Sequence, residues 1–136
     1  MNNAESVATA QRAFWNSEAT RRWVTEQARI DRLMAKVTET ALAAAAPTPG
    51  ESVLDIGCGA GTTTLRIAEA VGPSGQVLGV DISEQQLGLA RQRVAATGVT
   101  HVQLVLDDAA THDFDPDSFD LGFTRPLLPS AISDAR

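Results

Sequence analysis

A short apolar run, Ser52-Val53-Leu54-Asp55-Ile56, leads directly into Gly57-Cys58-Gly59-Ala60-Gly61, and helical spacing resumes at Thr62. Bounded by Pro49-Gly50 on one side and the glycines on the other, the run reads as a strand buried on both faces. A buried strand, a glycine loop and a helix in that order begin a βαβ unit, which confines the chain to an α/β architecture with a parallel sheet. Glycine at positions 57 and 59 permits a tight bend with positive φ and lets a ligand touch bare backbone.

The rest of the chain repeats the alternation. Helical spacing over 62–71 passes through Leu65, Ala68 and Val71, and Gly72-Pro73-Ser74-Gly75 forms a loop. Residues 77–80 read as a second strand ending at Asp81. Ser83 stands three residues before Gln86, a capping-box spacing that predicts reciprocal side-chain bonds to backbone amides. That helix runs to about Ala96, with Gly98 as its C-terminal cap. A third strand is predicted over 102–106 and a fourth over 119–123, separated by an acidic loop. Upstream, Trp23, Ile30, Leu33, Met34, Val37, Ala41 and Leu42 fall three or four apart, predicting one helix over 20–46 that Pro47 and Pro49 end. Right-handed crossovers then give the strand order 3-2-1-4, with the switch point, where ligands bind, at the carboxyl end of the first strand.

Charge narrows the ligand. Residues 51–120 carry 11 acidic and 3 basic side chains, although the whole chain of 136 residues has a net charge of −6. Such a surface argues against nucleic acid as the main partner. No Lys or Arg lies between Glu51 and Leu65, so the loop lacks the lysine of a nucleoside-triphosphate site. A dinucleotide site would place a small residue where Thr62 stands. A phosphate-free ligand with an adenosine and a cationic centre suits the acidic, glycine-lined site better. Asp81, 20 residues beyond Gly61, ends the second strand, where a carboxylate can accept both ribose hydroxyls. Asp108, just past the third strand, could accept from an adenine amine, a role Asp107 could also take.

Val53-Leu54-Asp55-Ile56-Gly57-Cys58-Gly59-Ala60-Gly61, Val80-Asp81-Ile82-Ser83, Asp107-Asp108-Ala109 and Phe119-Asp120-Leu121 together resemble the ordered motifs of class I S-adenosylmethionine-dependent methyltransferases. Trp15-Asn16-Ser17, Arg21-Arg22-Trp23 and Gln27 are similar to a branch of that family with a helical cap. The resemblance spans about residues 10–125. It implies a Rossmann-like parallel sheet with an N-terminal helical cap and S-adenosyl-L-methionine as cofactor. It places Asp55, Gly57 and Gly59 at the methionine end, with Cys58 and Gly61 of the same loop also among the cofactor-binding residues. It assigns Asp81 to the ribose, Asp108 with Ala109 to the adenine and Ile82 to an adenine face. Thr124 and Arg125 would border the transferred methyl. The implied partner is a small-molecule methyl acceptor. No general base can be assigned. A non-catalytic adenosine-binding module and an NAD-dependent oxidoreductase fragment are the competing readings.

Plainer roles are expected for several other residues. Cys58, the only cysteine, reads as a small packing residue, because no histidine lies near it in sequence. His101 and His112 fall in a turn and in the acidic loop rather than in a catalytic pattern. Asp113, Asp115 and Asp117, interrupted by Pro116, read as solvated loop charges and not as a calcium site. The longest apolar stretch, residues 41–46, is far too short to span a membrane. The N-terminus has neither a basic start nor an apolar core, so a cytoplasmic protein is expected. The organisation is therefore a cap over 1–50, a cofactor-binding half-domain over 51–125 and an irregular tail over 126–136. Two prolines and no periodicity in that tail suggest a shifted frame or a truncation. The fourth strand would then be an edge that a partner chain or self-association must cover.

Overall fold

The computed structural model of the chain describes residues 3–124. Three helices, α1 (Asn3–Trp15), α2 (Glu18–Thr25) and α3 (Gln27–Ala45), precede the sheet. Then follow β1 (Ser52–Ile56), α4 (Thr62–Val71), β2 (Gln76–Asp81), α5 (Glu84–Thr97), β3 (Val102–Leu106), a 3-10 turn (Pro116–Ser118) and β4 (Leu121–Thr124). All strand pairs are parallel and the order is β3-β2-β1-β4, as the crossover argument requires.

One apolar cluster of the core lies between the sheet and two helices. Val53, Val77 and Phe123 point from the strands against Ile67, Ala68 and Val71 of α4, and Ala41, Leu42 and Ala45 of α3 pack on the same cluster. Val53, Ile67 and Val71 have no exposed surface, and each such side chain contributes roughly 1.5–3 kcal/mol of burial. The first strand is central, and Val53, Leu54 and Asp55, which point alternately to its two faces, are all buried, so its run shows no alternation.

Three sequence expectations change. The helix predicted over 20–46 is two helices, broken at Glu26, whose φ of −100° and ψ of 13° leave the helical region. Within α3 the inward stripe is not the one counted from apolar residues alone. Leu33 is 71% exposed, whereas Thr38 is buried. Asp31 also turns inward, because its hydrogen bonds to other elements compensate its burial. The fourth strand starts at Leu121 rather than Phe119. Asp120 is drawn into a clasp, its carboxylate accepting from the Ser52 amide at 2.7 Å while its own amide donates to Ser52 O at 2.8 Å. Phe119 instead meets Phe114 edge-on, with ring centroids 6.3 Å apart.

Gly75 shows how tightly the α4–β2 connection passes β1. A Cβ there would lie 2.6 Å from both Glu51 O and Val71 Cβ. Gly88, inside α5, has open space around the same position. Gly75→Ala should therefore lower stability by about 1–3 kcal/mol through overpacking. Gly88→Ala should raise it by about 0.5–1 kcal/mol, because a helix-interior glycine costs that much. Chemical denaturation of the two variants reads both, and equal effects would contradict the packing described.

Candidate functional site

The carboxyl ends of β1, β2 and β3 bring the predicted residues to one rim. Gly57, Gly59 and Gly61 all take positive φ, at 69°, 55° and 85°, and the chain bends over the end of the sheet. The bend is held from β2. Gly57 N and Cys58 N both donate to Val80 O, at 2.8 and 3.1 Å. Gly59 N donates to Asp81 Oδ2 at 2.8 Å. The other oxygen of Asp81 accepts from Ser83 N at 2.8 Å. Asp81 thus joins the glycine loop to the β2–α5 loop. Burial pushes its pKa above the ordinary carboxyl value, and the amide bonds from Ser83, Gly59 and Ile82 oppose that shift.

The reciprocal capping box expected at Ser83 and Gln86 forms only in one direction. Ser83 Oγ accepts from Gln86 N at 3.3 Å, but the Ser83 amide is held by Asp81. A carboxylate two residues away takes the place of the glutamine side chain.

Asp55 does not face the rim. It is 1% exposed, and its Oδ2 accepts from Thr63 Oγ1 at 3.0 Å and Thr64 Oγ1 at 2.6 Å. The carboxylate therefore sits at the N-terminus of α4, where a helix dipole favours a negative charge. A buried carboxylate beside this helix N-terminus opposes the binding of a phosphate there. The loop amides point the same way, since those of Gly57, Cys58, Gly59 and Gly61 all donate within the protein. Those four amides are not available to a pyrophosphate.

Cys58 is buried, and its thiol fills the space above Gly79, where a Cβ would lie 3.0 Å from Sγ. Burial, then the charges of Asp55 and Asp81, push its pKa well above the usual thiol value. It is a packing residue of the loop. At the end of β3, Asp107 and Asp108 separate. Asp107 Oδ2 pairs with His112 Nδ1 at 2.6 Å, a hydrogen bond that holds the Asp107 carboxyl below its ordinary pKa. Asp108 is buried and uses Oδ1 to accept from Ala110 N at 2.9 Å, which places Ala109 in the turn it caps. Thr124 pairs with Ile56 in the register of β4 on β1, so it stands beside the loop. His101 lies away from this rim, with Nε2 2.8 Å from Ala68 O of α4. A cavity of about 310 Å³ lined by Gln76, His101 and Gln103 opens at that opposite end of the strands. The side chain of Trp23, Arg125 and the tail over 126–136 lie outside the described residues.

The residues missed from sequence, Asp31 and Arg93, join the cap to the glycine loop. Asp31 of α3 accepts from Gln27 Nε2 at 2.8 Å, from Thr62 Oγ1 at 2.8 Å and from Arg93 Nη2 at 3.2 Å. Arg93 of α5 also donates to Ala60 O at 3.1 Å. One polar cluster thereby ties α3 and α5 to the glycine loop. The Nε2 bond fixes the orientation of the Gln27 amide, and its Oε1 is buried with no partner, an acceptor left free. No local signal marks the contacts between elements, because Asp31, Thr62 and Arg93 stand 31 residues apart from one to the next in sequence.

Residues 53–134 match a family described as a methyltransferase domain, which is more than half of the chain and runs into the tail. The chain belongs to this family. Specifically, it carries a class I S-adenosylmethionine-dependent methyltransferase domain. A demethylmenaquinone methyltransferase of Shouchella clausii is 44% identical over 83 residues, covering 59% of this chain and 35% of the relative. A phosphoethanolamine N-methyltransferase of Haemonchus contortus, solved with S-adenosyl-L-methionine, superposes with a TM-score of 0.59 at 32% identity over 65% of this chain and 20% of that one. A methyltransferase of Aquifex aeolicus shares the fold, with a TM-score of 0.66 at 23% identity over 76% of this chain and 55% of that one. The chain spans little more than a third of the length of the curated relatives it matches.

The rim fits the family's cofactor, S-adenosyl-L-methionine. The Asp81 carboxylate lies beside the glycine loop, and Gly57 leaves open space where a Cβ would stand. Cys58 should react with iodoacetamide at least about tenfold more slowly in the folded chain than in denaturant, since the thiolate is the nucleophile. Mass spectrometry of timed samples at mildly alkaline pH measures this; equal rates would place the thiol at the surface.

Proposed function

We propose that this chain supplies the cofactor-binding part of a methyltransferase that transfers the sulfonium methyl of S-adenosyl-L-methionine to a small-molecule acceptor. The observation that carries the reading is Asp81, whose carboxylate spans the Gly59 and Ser83 amides at the switch point of the sheet. In this reading its remaining lone pairs accept the two ribose hydroxyls. Asp108, buried and with Asp107 committed to His112, accepts from the adenine amine beside Ala109, and Ile82 lies against the ring. The backbone of Gly57, Gly59 and Gly61 borders the methionine end. Asp55 acts from beneath, by holding the start of α4 and so the loop above it. Thr124 faces the reacting end.

The bound cofactor supplies an electrophilic methyl on a cationic sulfur and leaves as a neutral thioether. The protein's part is therefore to orient the reactants and exclude water. The described residues hold the nucleoside and carry no assignable base, so the acceptor would be held by the remainder of the catalytic domain. Demethylmenaquinone, named in the relatives, is the first acceptor to assay. The acidic rim disfavours nucleic acid as that acceptor. A helix long and apolar enough to cross a membrane is absent from the described residues. A non-catalytic adenosine-binding module is the second reading, and methyl transfer in the assay separates the two.

Calorimetric titration of the full chain should show micromolar binding of S-adenosylhomocysteine and none of NAD; tight NAD binding alone would overturn the reading. The ribose hydroxyls donate best to the ionised form of Asp81. Affinity should therefore fall as pH drops through the raised pKa of that carboxyl, beginning at a higher pH than an exposed aspartate would give. The sign for the free protein is opposite. A raised folded-state pKa means that Asp81 contributes less stability as pH rises through the same window. Asp81→Asn should bind about tenfold more weakly, as a lost charge-assisted hydrogen bond implies. It should also lack the acid-side decline, and an unchanged pH profile would remove Asp81 from the ribose.

A further inference from the structure

The chain between Trp15 and Glu18, where α1 turns into α2, lies on the loop that joins β2 to α5. Asn16 makes the central contacts. Its Nδ2 donates to Arg12 O at 2.8 Å, within its own helix, and to Ile82 O at 3.0 Å. Its Oδ1 accepts from Glu84 N at 2.9 Å. Between these two contacts, Ser83 Oγ donates to Trp15 O at 2.9 Å. Three consecutive loop residues are therefore bonded to two consecutive residues of the cap, across 66 to 68 positions of sequence.

The chemistry selects an amide. Ile82 O needs a donor, and Glu84 N, the first amide of α5, needs an acceptor because no helical partner exists for it. A carboxamide presents both at the spacing of a neighbouring peptide group. An aspartate at 16 would keep the contact to Glu84 N but set an oxygen against Ile82 O. The loop so held begins at Asp81, whose carboxylate in turn fixes Gly59.

We infer that Asn16 is a positioning residue that couples seating of the N-terminal cap to nucleoside binding by the loop of Asp81 and Ile82. The inference rests on the proposed cofactor role of that loop. A nucleoside that engages Asp81 and Ile82 requires the loop in place, and the cap requires the same loop conformation for its bonds. Each then favours the other, and by linkage the effect is reciprocal.

The test uses the full chain, with S-adenosylhomocysteine as ligand and trypsin cleavage after Arg12 as the reporter of cap seating. In the unsubstituted chain, saturating ligand should slow that cleavage severalfold. Asn16→Asp should bind the ligand about tenfold more weakly, within the usual range of coupling, and lose most of the protection. Its thermal midpoint without ligand should stay near that of the unsubstituted chain, which a merely structural role would not allow. Glu39→Gln, which breaks an exposed ion pair between α3 and Arg66 of α4, should retain both affinity and protection. The inference is overturned if Asn16→Asp binds within twofold of the unsubstituted chain, or if ligand protects Arg12 equally in both. Absence of protection in the unsubstituted chain overturns it whatever the variant does, including a variant that fails to fold. Ligand binding without coupling refutes only this inference; no binding at all refutes the proposed function as well.

Discussion

One carboxylate holds two loops in register. Asp81 accepts from Gly59 N with one oxygen and from Ser83 N with the other, both at 2.8 Å. The glycine loop gains an anchor on the neighbouring strand, and the entry to α5 gains the partner that its own capping box does not supply. The arrangement places a negative charge where it is mostly removed from water, and the amide bonds offset part of that cost. A charge maintained in this way is poised for a polar ligand, since further donors would relieve what the fold leaves incomplete.

Asp55 works on the other side of the same loop. It is sealed below the bend and satisfied by Thr63 and Thr64, so it stabilises the first turn of α4 without meeting solvent. Two acids one strand apart thus do different work because their surroundings differ. A buried carboxylate beside the start of α4 opposes the pyrophosphate of a dinucleotide. This gives the phosphate-free reading a physical basis beyond the missing lysine.

Among the described residues, polar contacts tie the cap to the loops of the site. Asp31, Gln27, Thr62 and Arg93 join α3 and α5 to the glycine loop, while Asn16 and Trp15 join the α1–α2 corner to the loop of Asp81. Both loops that border the rim are therefore braced from the N-terminal helices. Networks of this kind specify one arrangement, because a partly broken network leaves buried groups unpaired.

Much of this was legible in the linear chain. The run of Val53 and Leu54 before three closely spaced glycines determined the strand, the bend and the parallel architecture, because backbone reach and positive φ are local properties. The order of four motifs determined the family and its cofactor. Tertiary structure decided what each acid does. Nothing local distinguishes Asp55, turned beneath the loop, from Asp81, turned across it, or Asp107 on His112 from the buried Asp108. It also decided that Asp31 and Thr38 face inward while Leu33 does not, and that Asn16 meets Ile82. Apolar periodicity records the average tendency of a helix face, whereas a polar side chain turns inward only where a distant segment brings its partner. That partner exists only once the chain has folded.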